Sequence, residues 1–373
     1  MRSSPPFPLR TTPLADRHRK WGARMGEFAG WSLPIVYTTV AEEASAVRRT
    51  AGLFDVSHMG ELVLRGPDAP ADLDRLFPSN IGSLEVGRGC YSLVLQEDGG
   101  ILDDLFLYRI ESSTFLCVVN AATTPSDFRW LSEHLQGAGT TVTDASEHWG
   151  ALAVQGPEAR KIVRSILPEV PEALGRRAIV VASWEGTRLW VARTGYTGED
   201  GVELFFPVPL GPGLWEAILE AGASSGIRPC GLAARDILRL EACLPLSGQE
   251  LTPEVTPVEA GLAWVVDWEK RCSFPGRRAL EERRIRGAEV LLVAFVVDPP
   301  APPPRTGYEL RSGETVVGKV TSGGFSPTLR APIGMGYVRT ELAAQGTRLA
   351  YTVRGHRYEA TVRAAPLYRR RRR

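Results

Sequence analysis

A chain of 373 residues is longer than one hydrophobic core usually supports, so two or three domains are expected. Its composition, 43% hydrophobic and 23% charged, is typical of a soluble globular protein, and no apolar run approaches the roughly 20 residues that span a bilayer. The net charge is +1, but five positive charges form the run Arg369 to Arg373, so the remainder carries −4. This excludes the profile of a nucleic-acid-binding protein, whose basic side chains spread over a face.

The cysteines, histidines and N-terminal residues argue against a secreted or metal-dependent protein. The five cysteines are odd in number, widely spaced and without a C-x-x-C pair, which predicts a reducing cytoplasm and neither a zinc cluster nor a disulfide framework. His134 and His148 are expected on the surface. Residues 1–13 lack the apolar core of a secretory signal and are interpreted as a loose lead-in. The arginine run is expected to be a solvated, frayed end.

Apolar periodicity in the first part of the chain predicts an antiparallel α+β unit. Residues 14–27 have mixed helical character, and residues 42–50 indicate a short helix. The segments that follow are predicted as strands or helices: strands at 60–66, 89–96, 101–110 and 114–120, and helices at 69–77 and 126–136. Their order and short turns predict an antiparallel unit over about residues 58–147.

The second part of the chain predicts another mixed block and a small all-β domain. Strands are expected at 152–155, 178–183, 188–193 and 203–207, and helices at 158–167, 214–221 and 232–242. The proline-rich stretch at 298–304 is the plainest boundary signal. Short alternating segments between residues 309 and 362 predict the all-β domain.

Two adjacent aspartates, Asp103 and Asp104, interrupt the apolar strand predicted at 101–110. Strand interiors are depleted in Asp, and a buried carboxylate is costly. Because side chains alternate along a strand, Asp103 shares a face with Arg109 and could pair with it, whereas Asp104 has no cation along its own strand. In one interpretation both carboxylates are bonded to nearby backbone N–H groups. We favour the other, in which Asp104 points into an aromatic-lined cavity where desolvation raises its basicity.

A glycine-rich loop, Thr194 to Gly201, precedes the strand predicted at 203–207. It lacks the Lys-Ser/Thr ending of a phosphate loop and does not open a long helix, so a β-hairpin turn is the simplest interpretation. Glu203 follows this turn on the returning strand. Its carboxylate could accept a pair of N–H donors from the edge of a heterocycle.

The helix predicted at 232–242 carries a second candidate cation. Asp236 and Arg239 are three residues apart and are expected to pair on the surface. Arg235 has no other evident local partner, and a guanidinium there could anchor a carboxylate or a ring oxygen. His58 lies among apolar neighbours, where a satisfied core histidine is favoured over a general base. No Ser–His–Asp or Cys–His order can be assembled, which disfavours an acyl-transfer hydrolase.

Several of these segments, in order and in register, resemble the aminomethyltransferase family, the T-protein of the glycine cleavage system. The match runs from about Thr12 to Pro366. The segments that carry it are Phe28 to Trp31, Gly52 to Met59, Gly99 to Leu105, Thr194 to Gly201, Gly231 to Glu241, Thr256 to Leu262 and Thr321 to Leu329. The resemblance implies an α+β fold of three domains in a clover-leaf arrangement around a central folate channel, with a C-terminal all-β, barrel- or jelly-roll-like domain.

The resemblance also implies domain boundaries and a reaction. The first domain would combine residues 1–57 and 148–285, the antiparallel domain 58–147, and the β domain 286–373. The implied enzyme releases ammonia from an aminomethyl group on the lipoylated H-protein and passes the one-carbon unit to tetrahydrofolate, with no nucleic-acid or membrane partner. Asp104 matches the catalytic carboxylate, and Glu203 and Arg235 match the residues that grip the pterin. Positions that match the channel lining are Tyr91, Tyr108, Asn120 and Tyr196.

Departures from the family pattern keep alternatives open. Ser247 stands where the family often has tyrosine, residues 78–80 replace a usual Thr-Asn-Asp, and the arginine tail could contact folate carboxylates or the carrier protein. A related folate-dependent demethylase would share the fold and folate site. A non-catalytic folate-binding accessory protein would carry Lys-Gly-Cys-Tyr-x-Gly-Gln-Glu, of which only residues 248–250 match here. The retained Asp104 further disfavours that alternative.

Overall fold

The computed structural model describes residues 8–370. None of the helices in this range is long and apolar enough to cross a bilayer. The α-helices within it are α1 (Ala15–Lys20), α2 (Val40–Arg49), α3 (Ala69–Leu76), α4 (Thr124–His134), α5 (Ala159–Ile166), α6 (Gly211–Gly222), α7 (Leu232–Glu241) and α8 (Arg277–Arg286).

A three-stranded sheet lies at the N-terminal end of the described chain. Its strands, in spatial order, are β1 (Arg10–Thr11), β3 (Trp31–Val36) and β2 (Arg24–Phe28). The predicted lead-in lies partly outside the described residues. Its described part is not loose, because Arg10 and Thr11 pair with β3 and the Arg10 guanidinium lies 4.1 Å from the centre of the Trp31 ring. The mixed helical segment divides at Gly22, whose left-handed φ of 76° allows the turn between α1 and β2.

A six-stranded sheet contains the strands predicted for the second block. Its strands, in spatial order, are β11 (Ile179–Trp184), β12 (Thr187–Ala192), β13 (Gly201–Pro207), β10 (Trp149–Gln155), β4 (Gly52–Asp55) and β14 (Arg228–Pro229). The glycine-rich loop joins β12 to β13 as an antiparallel hairpin, with Ala192 opposite Glu203. The hairpin prediction is therefore confirmed. Strand β4 and the short β14 were not predicted from the sequence.

A five-stranded sheet forms the predicted antiparallel unit. Its strands, in spatial order, are β6 (Arg88–Leu95), β7 (Ile101–Glu111), β8 (Thr114–Val119), β5 (Gly60–Arg65) and β9 (Thr141–Asp144), the last of which was not predicted. Leu105 and Leu107 pack with Leu73 of α3 and Leu131 of α4 in one buried cluster. The opposite face of β7 carries Asp104, Phe106 and Tyr108 toward the rest of the protein.

The C-terminal residues close into a six-stranded barrel. Its strands, in order around the barrel, are β15 (Val290–Val297), β18 (Ala331–Arg339), β17 (Thr315–Ser326), β16 (Glu309–Ser312), β19 (Arg348–Val353) and β20 (His356–Arg363). The proline-rich stretch follows β15 and so lies inside the barrel unit, not at its boundary. β15 pairs with both β18 and β20 and closes the barrel. The domain boundaries implied by the family resemblance remain a prediction.

One apolar cluster joins the three units. It contains Phe54 and Phe205 from the six-stranded sheet, Tyr108 from the five-stranded sheet, Ile237 from α7 and Met335 from the barrel, each at most 6% exposed. Burial of this size holds the units together, since each fully buried large apolar side chain contributes about 1.5–3 kcal/mol. The polar face of β7 therefore has a fixed position against α7 and the loop between β12 and β13.

Candidate active site

The alternation of β7 separates the two aspartates of the Asp-Asp pair. Asp103 is completely buried on the face that covers α4, whereas Asp104 is half-buried on the opposite face. Asp104 is opposite Leu93 of β6 in the strand pairing, two residues from Tyr91 on the same face. The prediction that Asp104 points toward an aromatic-lined space is in keeping with this placement, because Tyr91, Phe106 and Tyr108 share its face.

Two side chains hold the Asp104 carboxylate. The Tyr91 hydroxyl donates to Oδ2 at 2.8 Å, and the Asn120 amide Nδ2 donates to Oδ1 at 2.9 Å. Burial and the nearby charge of Asp103 raise the pKa of Asp104 to about 7, and the two hydrogen bonds oppose that rise. A carboxylate with this pKa can both accept and return a proton near neutral pH.

Asp103 is held from the other side of the sheet. Asn120 Nδ2 donates to its Oδ1 at 2.8 Å and the Thr123 hydroxyl donates to its Oδ2 at 2.5 Å. The predicted pair with Arg109 is wrong. Arg109 lies six residues away, about 20 Å along a strand, and donates to the carbonyl oxygens of Leu84 and Ser112. Asn120 thus bridges both aspartates.

The loop between β12 and β13 brings Glu203 to the same face as Tyr108. The Thr194 hydroxyl donates to Glu203 Oε2 at 2.6 Å. The Tyr108 hydroxyl lies 2.7 Å from Thr194 Oγ1 and must donate to it, since the Thr194 proton is engaged with Glu203. Gln155 supports the loop from β10, donating to the Thr194 carbonyl oxygen and accepting from the Thr197 hydroxyl. The other oxygen of Glu203, Oε1, accepts no hydrogen bond from residues 8–370 and remains available to a ligand.

Arg235 approaches this group from α7. Its guanidinium lies 4.9 Å from the centre of the Tyr196 ring, and the Tyr196 hydroxyl donates to the Pro245 carbonyl oxygen. Burial lowers the pKa of Arg235, an effect opposed by the charge of Glu203. Its buried Nη1 has no hydrogen-bond partner within residues 8–370. An orphaned guanidinium nitrogen beside a carboxylate fits a ligand that carries an acceptor next to N–H donors, as the pterin ring of folate does.

His58 lies close to Arg235 and differs from its prediction. It is buried, but Nδ1 has no hydrogen-bond partner in the described part of the chain, so it is not a satisfied core histidine. Burial and the Arg235 charge lower the pKa of His58 to about 4, which keeps the ring neutral. His58 and Arg235 line one small cavity together with Asp55 and Gly231. Both histidines expected on the surface, His134 and His148, are exposed.

The pairing of Asp236 with Arg239 is confirmed at 2.9 Å, with the Asp236 carboxylate exposed at the surface and the Arg239 guanidinium buried. The Arg239 side chain is only 3% exposed, and it also donates to Glu250 at 2.9 Å and to Ser322 of the barrel at 2.8 Å. Glu250 in turn accepts from the Thr321 hydroxyl. This buried network ties α7 to the barrel and so fixes the helix that presents Arg235.

Trp264 is a residue of this region that the sequence analysis missed. Its side chain is 59% exposed and stacks on Tyr91, with ring centres 6.0 Å apart and planes 22° apart. The Arg177 guanidinium lies 5.5 Å from the Trp264 ring centre. The sequence feature that could have identified Trp264 is its position two residues after the segment Thr256 to Leu262, which resembles the family. Trp264 therefore places an exposed aromatic ring directly against Tyr91, the tyrosine that holds Asp104.

The comparisons with known proteins agree with this geometry. The GCVT N-terminal domain family matches residues 14–270, and the glycine cleavage T-protein C-terminal barrel domain matches residues 291–369. The chain belongs to the aminomethyltransferase family, the T-protein of the glycine cleavage system. An aminomethyltransferase of Geobacillus kaustophilus (strain HTA426) is 43% identical over 366 residues, which are 97% of this chain and 99% of that protein.

Two further T-protein family members extend the comparison. An aminomethyltransferase of Bacillus cereus (strain AH187) is 41% identical over 97% of this chain and 99% of its own length. The crystal structure of glycine cleavage system aminomethyltransferase T from Bartonella henselae has a TM-score of 0.91 and 36% identity, covering 97% of this chain and 99% of that one. The family resemblance and the α+β fold class with a C-terminal barrel are therefore confirmed.

Proposed function

We propose that Asp104 is the catalytic carboxylate of this aminomethyltransferase and that Glu203 and Arg235 bind the pterin ring of its folate. As a T-protein family member, the chain is a tetrahydrofolate-dependent transferase of the glycine cleavage system, releasing ammonia and forming methylenetetrahydrofolate. The observation that supports the catalytic assignment is the carboxylate held by Tyr91 and Asn120 with its pKa raised to about 7. The demethylase and accessory-protein alternatives have no comparable support.

The residues around Asp104 can orient a ligand and move one proton. Bound tetrahydrofolate supplies the two nitrogens that take up the one-carbon unit. Tyr91 and Asn120 each hold one oxygen of Asp104, so the carboxylate has a fixed plane and a remaining lone-pair direction on each oxygen. An N–H placed there can donate to Asp104 and give up its proton as the nitrogen attacks. Holding the nitrogen in place and accepting its proton each lower the activation barrier of the transfer.

Glu203 and Arg235 offer complementary contacts to a pterin edge. Glu203 keeps one oxygen unengaged while Thr194 holds the other, and the adjacent Arg235 offers an unpaired N–H. Tyr196 stacks on that guanidinium and restricts its orientation. The proposal extends to Tyr108, which fixes Thr194, and to Tyr196 as lining residues. The carboxylate of Glu203 beside the guanidinium of Arg235 favours a ring that has adjacent N–H donors next to an acceptor.

The family implies an H-protein partner, and we propose that its lipoyl arm enters beside Trp264. This side chain is exposed, stacks directly on Tyr91 and has the positive Arg177 next to it. An exposed aromatic with an adjacent arginine is the composition found at binding hot spots. A cytoplasmic location also remains a proposal, which the five free cysteines support.

The decisive experiment is turnover of Asp104→Asn with tetrahydrofolate and aminomethyl-loaded H-protein, following ammonia and methylenetetrahydrofolate. The amide keeps the shape of the side chain but cannot accept the proton, so turnover is expected to fall by about 10²- to 10⁴-fold. Folate binding, measured by fluorescence titration, should persist. Asp16→Asn, at a carboxylate whose side chain is 92% exposed, is the matched control. Turnover of Asp104→Asn close to wild type would remove Asp104 from catalysis.

The same assay separates the transferase from its alternatives. Folate binding by the wild type without turnover of loaded H-protein would favour a demethylase that takes another one-carbon donor. Absence of folate binding by the wild type would remove the assignments of Glu203 and Arg235 together.

A further inference from the structure

We infer that Arg48 positions the proposed pterin site by holding the glycine-rich loop against α7, with the C-terminal strap, residues 367–370, packed on it. Arg48 lies in α2 and is not among the proposed ligand contacts. The loop carries Thr194 and Tyr196, and α7 carries Arg235, so a contact between loop and helix joins the two halves of that site. The effect on ligand binding rests on the proposed function, whereas the contacts of Arg48 stand independently.

The Arg48 guanidinium bonds to both the loop and the helix. Its Nη1 donates to the Thr197 carbonyl oxygen at 2.7 Å and to Glu199 Oε1 at 3.2 Å, both in the loop. Its Nη2 donates to Glu241 Oε2, at the C-terminal end of α7, at 2.7 Å, and Nε donates to the same atom at 3.1 Å. The planar fork of a guanidinium fixes the directions of these donors, so the loop and the end of α7 keep a set separation.

These ion pairs are shielded from water. The side chains are 7% exposed for Arg48, 4% for Glu199 and 0% for Glu241. Glu241 also accepts from two hydroxyls of the barrel, Ser326 at 2.5 Å and Thr328 at 3.0 Å. Removing Arg48 would leave both carboxylates buried without their cation and would release the loop from α7.

Gly198 lets the loop approach α7 at this point. It has a left-handed φ of 79°, and a β-carbon there would lie 2.8 Å from the Cβ atom of Ala242. The loop therefore packs directly on the residue that follows α7. This close contact and the Arg48 fork together keep Tyr196 beside Arg235.

The C-terminal strap contacts the same group through Tyr368. The Tyr368 ring centre lies 3.8 Å from Arg48 Cζ. Its backbone N–H donates to the Glu241 carbonyl oxygen at 2.8 Å, and its hydroxyl donates to Glu199 Oε1 at 2.6 Å. Burial and the hydrogen bond to Glu199 raise the pKa of Tyr368 to about 12, so the hydroxyl keeps its proton and remains a donor. Tyr368 thus bonds to the loop and to α7, as Arg48 does.

Arg370 attaches the strap to the loop a second time. Its guanidinium lies 3.5 Å from Asp200 Oδ1, and Arg193 donates to both oxygens of the same carboxylate, at 2.9 and 2.8 Å. The described end of the arginine run is therefore held against the loop and is not the frayed end predicted from the sequence. Residues 371–373 of the run lie outside the described residues.

Folate titration and steady-state kinetics of Arg48→Met test the inference. Because the bonds from a charged group to the loop and to α7 are lost, the dissociation constant and the KM for tetrahydrofolate should rise about tenfold or more. The kcat at saturating tetrahydrofolate and the KM for H-protein should stay within about threefold, because Tyr91 and Asn120 hold Asp104 without bonding to the loop. An unchanged dissociation constant, or equal losses in kcat and in both KM values, would overturn the inference.

Milder variants decide the question if Arg48→Met does not fold. Arg48→Lys keeps the charge but not the fork, and Tyr368→Phe removes only the hydroxyl that bonds to Glu199. Each should raise the dissociation constant for tetrahydrofolate about threefold or more. Arg357→Met is the matched control, since Arg357 bonds to the Glu359 carboxylate and to a carbonyl oxygen in the barrel, and it should bind tetrahydrofolate as the wild type does. Wild-type affinity in both Arg48→Lys and Tyr368→Phe would overturn the inference.

A double variant tests whether Arg48 and the strap act on the same group. Both residues bond to Glu199, so Arg48→Lys/Tyr368→Phe should lose less affinity than the product of the two single losses. Losses that simply multiply would show that the two residues act separately and would overturn the role of the strap.

Glu203→Gln separates this inference from the proposed function. If Glu203→Gln binds tetrahydrofolate weakly and Arg48→Met binds it as the wild type does, the inference fails and the pterin assignment stands. If Glu203→Gln binds as the wild type does and Arg48→Met binds weakly, the pterin contact of Glu203 fails, while attachment of the loop is still shown to support binding.

Discussion

Removing the hydroxyl of Tyr91 tests the electrostatic account of Asp104. The Tyr91 hydroxyl donates to Oδ2 of Asp104 at 2.8 Å and stabilises the ionised carboxylate. A hydrogen bond to a charged group contributes about 1.5–3 kcal/mol, and one pKa unit corresponds to about 1.4 kcal/mol. Tyr91→Phe should therefore raise the pKa of Asp104 from about 7 by about one to two units.

The expected kinetic effect depends on pH. At about pH 7.5 the ionised fraction of Asp104 should fall from about three quarters to between roughly a quarter and a few per cent, so kcat/KM drops by about 3- to 25-fold. The loss should shrink as pH rises past the new pKa. The assay is the acid limb of kcat/KM for turnover of loaded H-protein across pH.

A matched tyrosine variant separates this effect from a general loss of stability. Tyr351→Phe also removes a buried hydroxyl hydrogen bond, to the Pro302 carbonyl oxygen in the barrel, far from the polar face of β7. Its acid limb should coincide with that of the wild type. An acid limb that stays in place in Tyr91→Phe, or that moves to lower pH, would refute the account.

Two further predictions concern Glu61 and Trp264. Glu61 is completely buried with neither oxygen hydrogen-bonded in residues 8–370, and burial raises its pKa well above the ordinary value. Because its raised pKa keeps Glu61 protonated in the folded state, that proton stabilises the fold at low pH, and the stabilisation is lost as pH rises toward the raised pKa. Thermal denaturation from about pH 5 to about pH 8 should therefore show the melting temperature of Glu61→Gln rising increasingly above that of the wild type. Trp264→Ala should raise KM for H-protein about tenfold or more while folate affinity stays unchanged. The control Trp21→Ala, at another exposed tryptophan, should leave KM for H-protein unchanged. Equal KM values for the two variants would exclude entry of the lipoyl arm beside Trp264.

Strand periodicity predicted the central feature of the site. A period of two is enough to place Asp103 and Asp104 on opposite faces, and the aromatic side chains that follow Asp104 identify its face. The predicted pair of Asp103 with Arg109 was wrong because it considered only which face of the strand the side chains share. Six residues of strand separate the two charges by about 20 Å, which is too far for an ion pair. Pairing across a sheet depends on neighbours from other strands, which one strand cannot reveal.

Other features depend on contacts between distant segments. The stacking of Tyr196 on Arg235 and of Trp264 on Tyr91 joins residues 39 and 173 positions apart in the chain. Helix α8 was missed because its closely spaced arginines and glutamates give almost no apolar face, with Leu280 its only buried residue. The first barrel strand, β15, precedes the proline-rich stretch, so a compositional boundary did not coincide with a structural one.

The paired aspartates explain how a sheet can raise the basicity of one carboxylate without placing a second carboxylate in the ligand site. A negative charge near Asp104 raises its pKa only if it lies close, yet a second carboxylate on the same face would occupy ligand space and need its own partners. Asp103 meets both requirements because adjacent residues of a strand are close in space but point apart. Its charge acts through the sheet, while Thr123 and Asn120 satisfy it from the α4 side and from the strand end. An aspartate two positions from Asp104 would lose this separation, so the adjacency itself is what the chemistry requires.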